Sequence, residues 1–583
     1  MAISEPASDQ RRAFVLDLPQ RLVCLLDGAS ASHGRASLLL VVVALVAFLP
    51  GFFQISPIDR DEARFAQATK QMVESGNFVE IRFHTQARNK KPVGIHWLQA
   101  ASVTAGEAVI GPSALTSIWL YRLPSLLAAV GAVLLTYWTA LVFLSRRGAL
   151  LAGLLMASCV LLGVEARLAK TDAVLLLTII ACFGALARAY VRPRAERTGD
   201  FRLAFIFWTA MAAGILVKGP MTPLFVGLAI VALAVVERSG SVLRPLRPLV
   251  GLVWCLLLVL PWFVAIWFAT KGAFYQHAVG VDMLGKVTEG QEGHWGPPGT
   301  YFLAVWGTFW PSVVLAAMAA PFAWRARRDE KVRFLLCWLV PTWLLFEIAA
   351  TKLPHYVLPL YPALAILGVM AIERGALARA GSRLAGLVWL WPVLAILVSL
   401  GLGGAYLWFG SGFGLAAWPL LALAIALLWM AARAFPRVGP EGAVLTAIAG
   451  ALVLYTAVYQ AMLPQMRALW ISERLAAVVK EQGCPAANVS SFPYQEPSLV
   501  FLVGTDINYV LPNEAAALMK KGGCSLAFMD ERFTGNFEKH AAAHGLKYHA
   551  VATISGFVYN GGRLTAITVY RSDDAPAGSG AAR

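Results

Sequence analysis

Residues 165–197 read EARLAKTDAVLLLTIIACFGALARAYVRPRAER. The stretch has three parts. A short loop carries two acids and two bases (Glu165, Arg167, Lys170, Asp172), an apolar run fills 173–191, and a basic loop follows with Arg192, Arg194 and Arg197. An apolar run of about 20 residues matches a hydrocarbon core of roughly 30 Å, so the middle part reads as a membrane-spanning helix. Arginine-rich loops collect on the cytoplasmic side, which assigns a face to each end.

The rest of the chain repeats this unit. Apolar runs fall at 36–53, 118–144, 149–163, 173–191, 203–217, 221–236, 249–269, 301–323, 333–350, 355–372, 385–407, 414–432 and 442–463, about thirteen spans in all. Composition agrees. The 583 residues are 58% hydrophobic and 14% charged, where a soluble domain has about 45–50% apolar and about 25% charged residues. With the N-terminus inside, the inner loops carry Arg146-Arg147, then Arg192/Arg194/Arg197/Arg202, Arg238/Arg244/Arg247, Arg325/Arg327/Arg328/Lys331/Arg333, Arg374/Arg379/Arg383 and Arg433/Arg437. All are basic, as the positive-inside bias requires, and the alternation puts the C-terminus outside. The net charge of +16 therefore belongs to these loops, and no nucleic-acid motif accompanies it. The first run lies deep in the chain, behind Arg11, Arg12, Arg21 and Arg35, and lacks a small-residue cleavage pattern, so it reads as a retained span.

Two outer segments exceed a connector. The first, 54–117, contains an amphipathic helix at Glu62–Ser75 and a shorter apolar segment at Pro92–Val109, both expected to lie in the interface. The second, 270–300, carries Trp295, Pro297 and Pro298. After about residue 464 the composition becomes that of a soluble α/β domain. Helices are expected at Ser472–Gln482, Glu514–Lys521 and Asn536–His544, and strands at Asn488–Phe492 and Ser525–Met529. A hairpin of Tyr548–Tyr559 with Arg563–Arg571 is expected across Asn560-Gly561-Gly562. The expected organisation is thus a transmembrane domain over 1–463, a periplasmic domain over 464–572 and a disordered tail over 573–583. Cys484 and Cys524 fall in the outer domain, where the compartment permits a disulfide.

Four polar clusters sit at outer ends of spans. Asp59-Arg60-Asp61-Glu62-Ala63-Arg64-Phe65 opens the first outer loop. Acids are ordinary in a first helical turn, but a carboxylate held at the membrane surface can also act as a general base, and an arginine beside it can hold a phosphate. Arg88-Asn89-Lys90-Lys91-Pro92 places Lys91 at the mouth of the second interfacial segment, where a plain basic anchor is the competing reading. In the 165–172 loop, Asp172 directly precedes an apolar run, where an unpaired carboxylate is costly; it should have a cationic partner. Thr351-Lys352-Leu353-Pro354-His355-Tyr356 offers Lys352 and Tyr356 to a phosphate, or as interfacial anchors. His294 is a weaker candidate, since a lone histidine is more often a surface residue. No H-E-x-x-H, C-x-x-C or P-loop is present.

These motifs in order resemble a known family. Asp61-Glu62-Ala63-Arg64-Phe65, then Lys91-Pro92, Thr171-Asp172, Lys352-Leu353-Pro354-His355-Tyr356 and Glu496-Pro497-Ser498-Leu499-Val500-Phe501 are similar to motifs of the bacterial aminoarabinose lipid A transferases. These are relatives of the protein O-mannosyltransferases in the GT-C glycosyltransferase superfamily. The resemblance covers essentially the whole chain. It implies a GT-C fold, all-α in its polytopic membrane part, and an inverting transfer of a sugar from polyprenyl phosphate to lipid A or another envelope glycolipid on the periplasmic face of the bacterial inner membrane. Carried over by residue, Asp61 is the catalytic first-loop aspartate and Asp172 the second acidic site residue. Arg64 and Lys91 contact phosphate, Lys352 and Tyr356 bind lipid phosphate, and Glu62 and His294 complete the substrate-binding set. The chain departs from relatives that have Glu-Lys-Pro-Pro where it has Lys90-Lys91-Pro92-Val93. This removes a candidate metal ligand, so neither a zinc nor any required cofactor is expected. A protein O-mannosyltransferase is the alternative within the class. A lipid flippase or sugar transporter is the alternative outside it, but it would place ionisable residues near the midplane.

Overall fold

The computed structural model describes residues 7–191, 200–278, 295–377, 382–410 and 414–573. His294, Arg192, Arg194, Arg197, Arg379 and nearly all of the expected 573–583 tail lie outside the described residues.

Each of the thirteen apolar runs contains helix. Eight helices among the described residues are long and apolar enough to cross a bilayer, including Ile118–Ala140, Asp172–Val191, Phe201–Lys218 and Pro248–Thr270. A ninth candidate is a bent pair, Arg146–Ala157 and Val160–Ala166, with 63° between its halves. His33–Phe48, Met221–Glu237 and Val313–Arg325 are shorter apolar helices. The bend at Ser158-Cys159 frees backbone groups that neighbouring helices satisfy, as a low-dielectric setting demands. Tyr455 Oη donates to Ser158 O at 2.6 Å, and Val160 N–H donates to Trp310 O at 3.3 Å. The 301–323 run is likewise interrupted, between Thr300–Thr308 and Val313–Arg325. Trp391 Nε1 donates to Pro311 O at 2.9 Å in that break.

Asp172–Val191 is central, with most of its side chains buried. Pro248–Thr270 is peripheral and exposes Leu249, Val253, Leu257 and Phe268, a pattern that water would penalise and lipid does not. At one end of the helices, basic loops are tied to acids of neighbouring loops. Arg147 pairs with Asp27 (2.5 Å) and with Glu441, Arg333 with Glu237 (2.5 Å), and Arg374 with Asp329 (3.2 Å).

The opposite end carries the first-loop elements. Asp61–Ser75 is a helix with Asp61 and Glu62 in its first turn, closed by Gly76 at φ 67°. A two-stranded ribbon follows, β1 (Arg82–Phe83) with β2 (Gln86–Ala87), then the helix Gly94–Ile110. Buried polar groups join the two helices: Thr69 Oγ1 donates to Gln99 Oε1 at 2.7 Å and stands 2.7 Å from His96 Nδ1.

Beyond residue 470 the chain forms a five-stranded sheet, order β4-β3-β5-β7-β6. Its strands are β3 (Val489–Phe492), β4 (Asn508–Tyr509), β5 (Leu526–Asp530), β6 (Tyr548–Val558) and β7 (Arg563–Ser572). β3 runs parallel to β4 and β5, whereas β7 is antiparallel to β5 and β6. The β6–β7 hairpin matches the turn chemistry of Asn560-Gly561-Gly562. Helices occupy Ile471–Gln482, Pro512–Lys520 and Thr534–Ala543 as expected, and an additional short helix forms at Pro497–Val503. Cys484 and Cys524 are joined by a disulfide.

Candidate functional site

The acid–base residues meet where four elements converge. The Asp172–Val191 helix begins with its carboxylate in the first turn, where the helix dipole favours an anion. The Phe201–Lys218 helix ends there with Lys218, whose Nζ is 2.5 Å from Asp172 Oδ1. Lys170 lies 3.6 Å from Asp172 Oδ2 and 3.3 Å from Glu165 Oε1. His355, from the turn that starts at Pro354, has Nε2 3.7 Å from Asp172 Oδ1 and Nδ1 3.9 Å from Glu165 Oε1. Glu165 Oε2 is buried without a hydrogen-bond partner among the described residues. Asp172 thus has the cationic partner that its position demanded, and the partner is a lysine from another loop.

Asp61 joins this cluster from the first loop. Burial pushes its carboxyl up, but Lys91, Lys170, Arg88 and His355 outweigh burial and hold it below its ordinary 3.8. It is therefore ionised at neutral pH. Burial works against the charge on Lys170 too, yet Glu165, Asp172 and Asp61 together raise its pKa. Phe65, one helical turn after Asp61, is the platform for the bases. Lys91 Nζ is 5.1 Å and the Arg88 guanidinium 5.2 Å from its ring centre, within cation–π range. His96 stacks on the same ring at 5.5 Å. It is kept neutral by burial and by Arg88 and Lys91, its pKa pushed down to about 3. The helix that follows Lys91 packs closely on the helix that ends in Lys218: at Gly94, a Cβ would stand 2.7 Å from Leu216 O.

The sequence-derived residues do not all arrive here. Glu62, expected among the substrate-binding residues, is instead bonded into the protein interior. Its Oε1 accepts from Arg122 Nε (2.7 Å) and Ala169 N (2.9 Å), and its Oε2 from Arg122 Nη2 (2.9 Å) and Ile58 N (2.8 Å). Arg122 gives its other hydrogens to Phe52 O, Ile55 O and Ser56 O. Lys352, expected to bind lipid phosphate, also points at backbone here. Its Nζ donates to Phe346 O and Glu347 O, each at 2.7 Å, so it closes the end of the Glu330–Ile348 helix. Tyr356 does flank the cluster, with Lys218 Nζ 5.7 Å from its ring centre. Arg64 is half-buried one turn along from Asp61.

Sequence reading missed Lys218, and quoted Glu165, Lys170 and His355 without assigning them roles. Lys218 had a signal, a charge at the outer end of an apolar run before Gly219-Pro220. Arg122 had a stronger one, an ionisable residue inside a span. Among the described residues, Glu165, Asp172 and His355 bring one ligand atom each within 4.8 Å of one another. Lys218 and Lys170 already neutralise those carboxylates at 2.5 and 3.3 Å, so a metal ion would have to displace ammonium groups, and the donor set fits one poorly. Counting charges, three acids (Asp61, Glu165, Asp172) face four bases (Arg88, Lys91, Lys170, Lys218). The arrangement suits an anion.

Comparison with known proteins bears on the family. The family model for dolichyl-phosphate-mannose-protein mannosyltransferases matches residues 90–267. An undecaprenyl phosphate-alpha-4-amino-4-deoxy-L-arabinose arabinosyl transferase of Erwinia tasmaniensis is 28% identical over 316 residues, 53% of this chain and 54% of that one. The enzyme of that name from Pectobacterium carotovorum is 28% identical over 340 residues, 57% and 58% of the two chains. The chain thus spans little more than half the length of the curated relatives it matches. The crystal structure of ArnT from Cupriavidus metallidurans bound to undecaprenyl phosphate aligns at TM-score 0.71 and 20% identity, over 92% of this chain and 98% of that one. Its apo form aligns at 0.70 over 91% and 97%. At that identity the likeness is one of fold. The chain is thus similar over half its length to aminoarabinose transferases, matches the mannosyltransferase family model over 90–267, and shares the fold of the two ArnT structures.

Proposed function

We propose that the chain is an inner-membrane glycosyltransferase that moves a sugar, an aminoarabinose-like pentose or a related one, from polyprenyl phosphate to lipid A or another envelope glycolipid on the periplasmic face, with inversion. The observation that carries this reading is an ionised carboxylate, Asp61, set among an excess of half-buried bases at one end of the helices. The names of the relatives, and the lipid named for the Cupriavidus structure, supply the substrate class. The thirteen-span topology, with the N-terminus in the cytoplasm and the region after 464 in the periplasm, belongs to the same proposal.

In the proposed step the acceptor oxygen attacks the anomeric carbon as its bond to the donor phosphate breaks. Polyprenyl phosphate leaves with the bonding pair. Lys91, Arg88 and Arg64 stabilise the charge that develops on the phosphate. Asp61 takes the proton from a hydroxyl acceptor. The free site holds the Asp61 pKa low, which would make a weak base. A bound phosphate neutralises those bases and raises it, so the base strengthens when donor is present. Asp172 and Lys218 hold each other in register behind Asp61. No cofactor is required by the proposed step.

A protein mannosyltransferase is the second reading, favoured by the family match over 90–267. The test is transfer by the purified protein in lipid vesicles, with undecaprenyl phosphate carrying aminoarabinose or mannose, and with lipid A or a serine-containing peptide as acceptor. Transfer of aminoarabinose to lipid A is expected. Transfer of mannose to peptide alone would overturn the first reading in favour of the second, and no transfer from any polyprenyl-phosphate sugar would overturn both.

A further inference from the structure

The Glu496–Phe501 segment, far from Asp61 in sequence, is bonded to the turn from which Asp61 starts. Asp59 Oδ1 accepts from Ser498 N–H at 2.7 Å, and Asp59 Oδ2 accepts from Ser498 Oγ–H at 2.6 Å. The backbone N–H of Asp59 donates to Tyr559 Oη at 2.7 Å. Ser498 Oγ lies 2.6 Å from Ser472 Oγ, which is 2.8 Å from Tyr494 Oη. Because Ser498 gives its proton to Asp59, the hydroxyl chain runs from Tyr494 through Ser472 to Ser498. Both oxygens of Asp59 are thereby fixed by groups from the C-terminal part.

The attachment continues along the Asp61–Ser75 helix. Gln67 Nε2 donates to Thr505 Oγ1 at 2.9 Å, Lys70 Nζ to Phe501 O at 3.1 Å, and Thr505 Oγ1 to Glu74 Oε2 at 2.8 Å. Positions 67, 70 and 74 form one stripe of that helix, and the Pro497–Val503 helix packs on it. The Phe65 ring, with the bases over it, belongs to the other side of the helix. One element therefore carries the proposed base, the platform for the phosphate-binding bases, and the docking stripe.

We propose that Ser498 and Asp59 are positioning residues. Through their paired hydrogen bonds the C-terminal part sets the placement of Asp61, so its role includes alignment of the base as well as any contact with acceptor. This rests on the glycosyl-transfer reading. A carboxylate two residues from a fixed point is displaced by fractions of an ångström when that point is released, and an error of about 1 Å at a reacting group can cost about a hundredfold in rate.

The test uses the full-length protein in lipid vesicles with undecaprenyl phosphate-aminoarabinose as donor. Ser498→Ala is expected to lower kcat by about ten- to a hundredfold, while KM for the donor stays within about twofold. Asp59→Asn is expected to behave alike, and the double variant to be no worse than the worse single one, since both release the same contact. Hydrogen exchange at residues 58–63 should rise in Ser498→Ala while the sheet stays protected. Wild-type kcat in Ser498→Ala, or multiplicative losses in the double variant, overturns the proposal. Should the wild type transfer no sugar at all, the transferase reading fails instead, and the exchange measurement still decides whether Ser498 holds the turn.

Discussion

Two groups of buried charges stand within one loop of each other and are built in opposite ways. Around Arg122, every donor and acceptor is matched: five guanidinium hydrogens go to three carbonyls and both oxygens of Glu62, which also caps two backbone N–H groups. Around Asp172 one contact is close, from Lys218 at 2.5 Å, but the others run from 3.3 to 3.9 Å, the cluster with Asp61, Arg88 and Lys91 has more bases than acids, and Glu165 Oε2 has no partner among the described residues. A saturated network leaves nothing to offer a ligand. The second keeps a surplus of bases over acids, the feature on which the proposed phosphate site rests. Charge type is shared by both, so saturation separates framework from the proposed site.

Substitutions can break or sharpen this contrast. The largest effect is expected at Asp61. Asp61→Asn should lower kcat by about 10²- to 10⁴-fold without loss of folded protein, measured as sugar transfer beside size-exclusion behaviour; near-wild-type turnover would remove Asp61 as base. Glu62→Ala should do the reverse. It strands Arg122 in the interior at about 3–5 kcal/mol, so loss of folded protein is expected; a well-folded, inactive Glu62→Ala would return Glu62 to the site. Lys91→Ala should weaken undecaprenyl phosphate binding by about tenfold or more, the worth of a charge-assisted contact, in a vesicle binding assay. Lys352→Ala should leave that affinity unchanged and lower stability by about 1 kcal/mol, as loss of a helix-end bond does.

The smallest expected effect concerns pH. Burial and the neighbouring Glu496, with Glu62 adding to them, raise the Asp59 carboxyl from 3.8 to about 7, against the opposing bonds from Ser498. The packed tyrosines Tyr494, Tyr509 and Tyr559 stay neutral there. The folded state then binds the Asp59 proton more tightly than the unfolded state does. This contribution is full below about pH 4 and is lost as pH rises through about 7. The melting temperature of the wild type relative to Asp59→Asn should therefore fall between about pH 5 and about pH 8. A difference that rises over this window would reverse the assignment.

Much of this was legible in the sequence, for physical reasons. Spans announce themselves because lipid selects apolar runs, and the outer strands and helices of the C-terminal part followed ordinary periodicity. Asp61, Lys91 and Asp172 could be assigned to one end from loop charge alone. Whether a polar group faces a ligand or a helix end could not be read, because that depends on partners distant in sequence. Lys352 closes the helix just before it, Glu62 meets an arginine sixty residues on, and Lys218 reaches Asp172 from another span. The bend at Ser158-Cys159 was also invisible, since the two halves have continuous hydropathy and the break is held by Tyr455 and Trp310.

Gly94 sets a distance that no charge sets. Its backbone lies against Leu216 with no room for a methyl group, so the helix that follows Lys91 and the helix that ends in Lys218 meet across the thickness of a bare peptide. A single added carbon there would press these two helices apart while leaving every ionisable side chain as it is. Helix packing in this protein is therefore exposed to change at a position that carries no functional group.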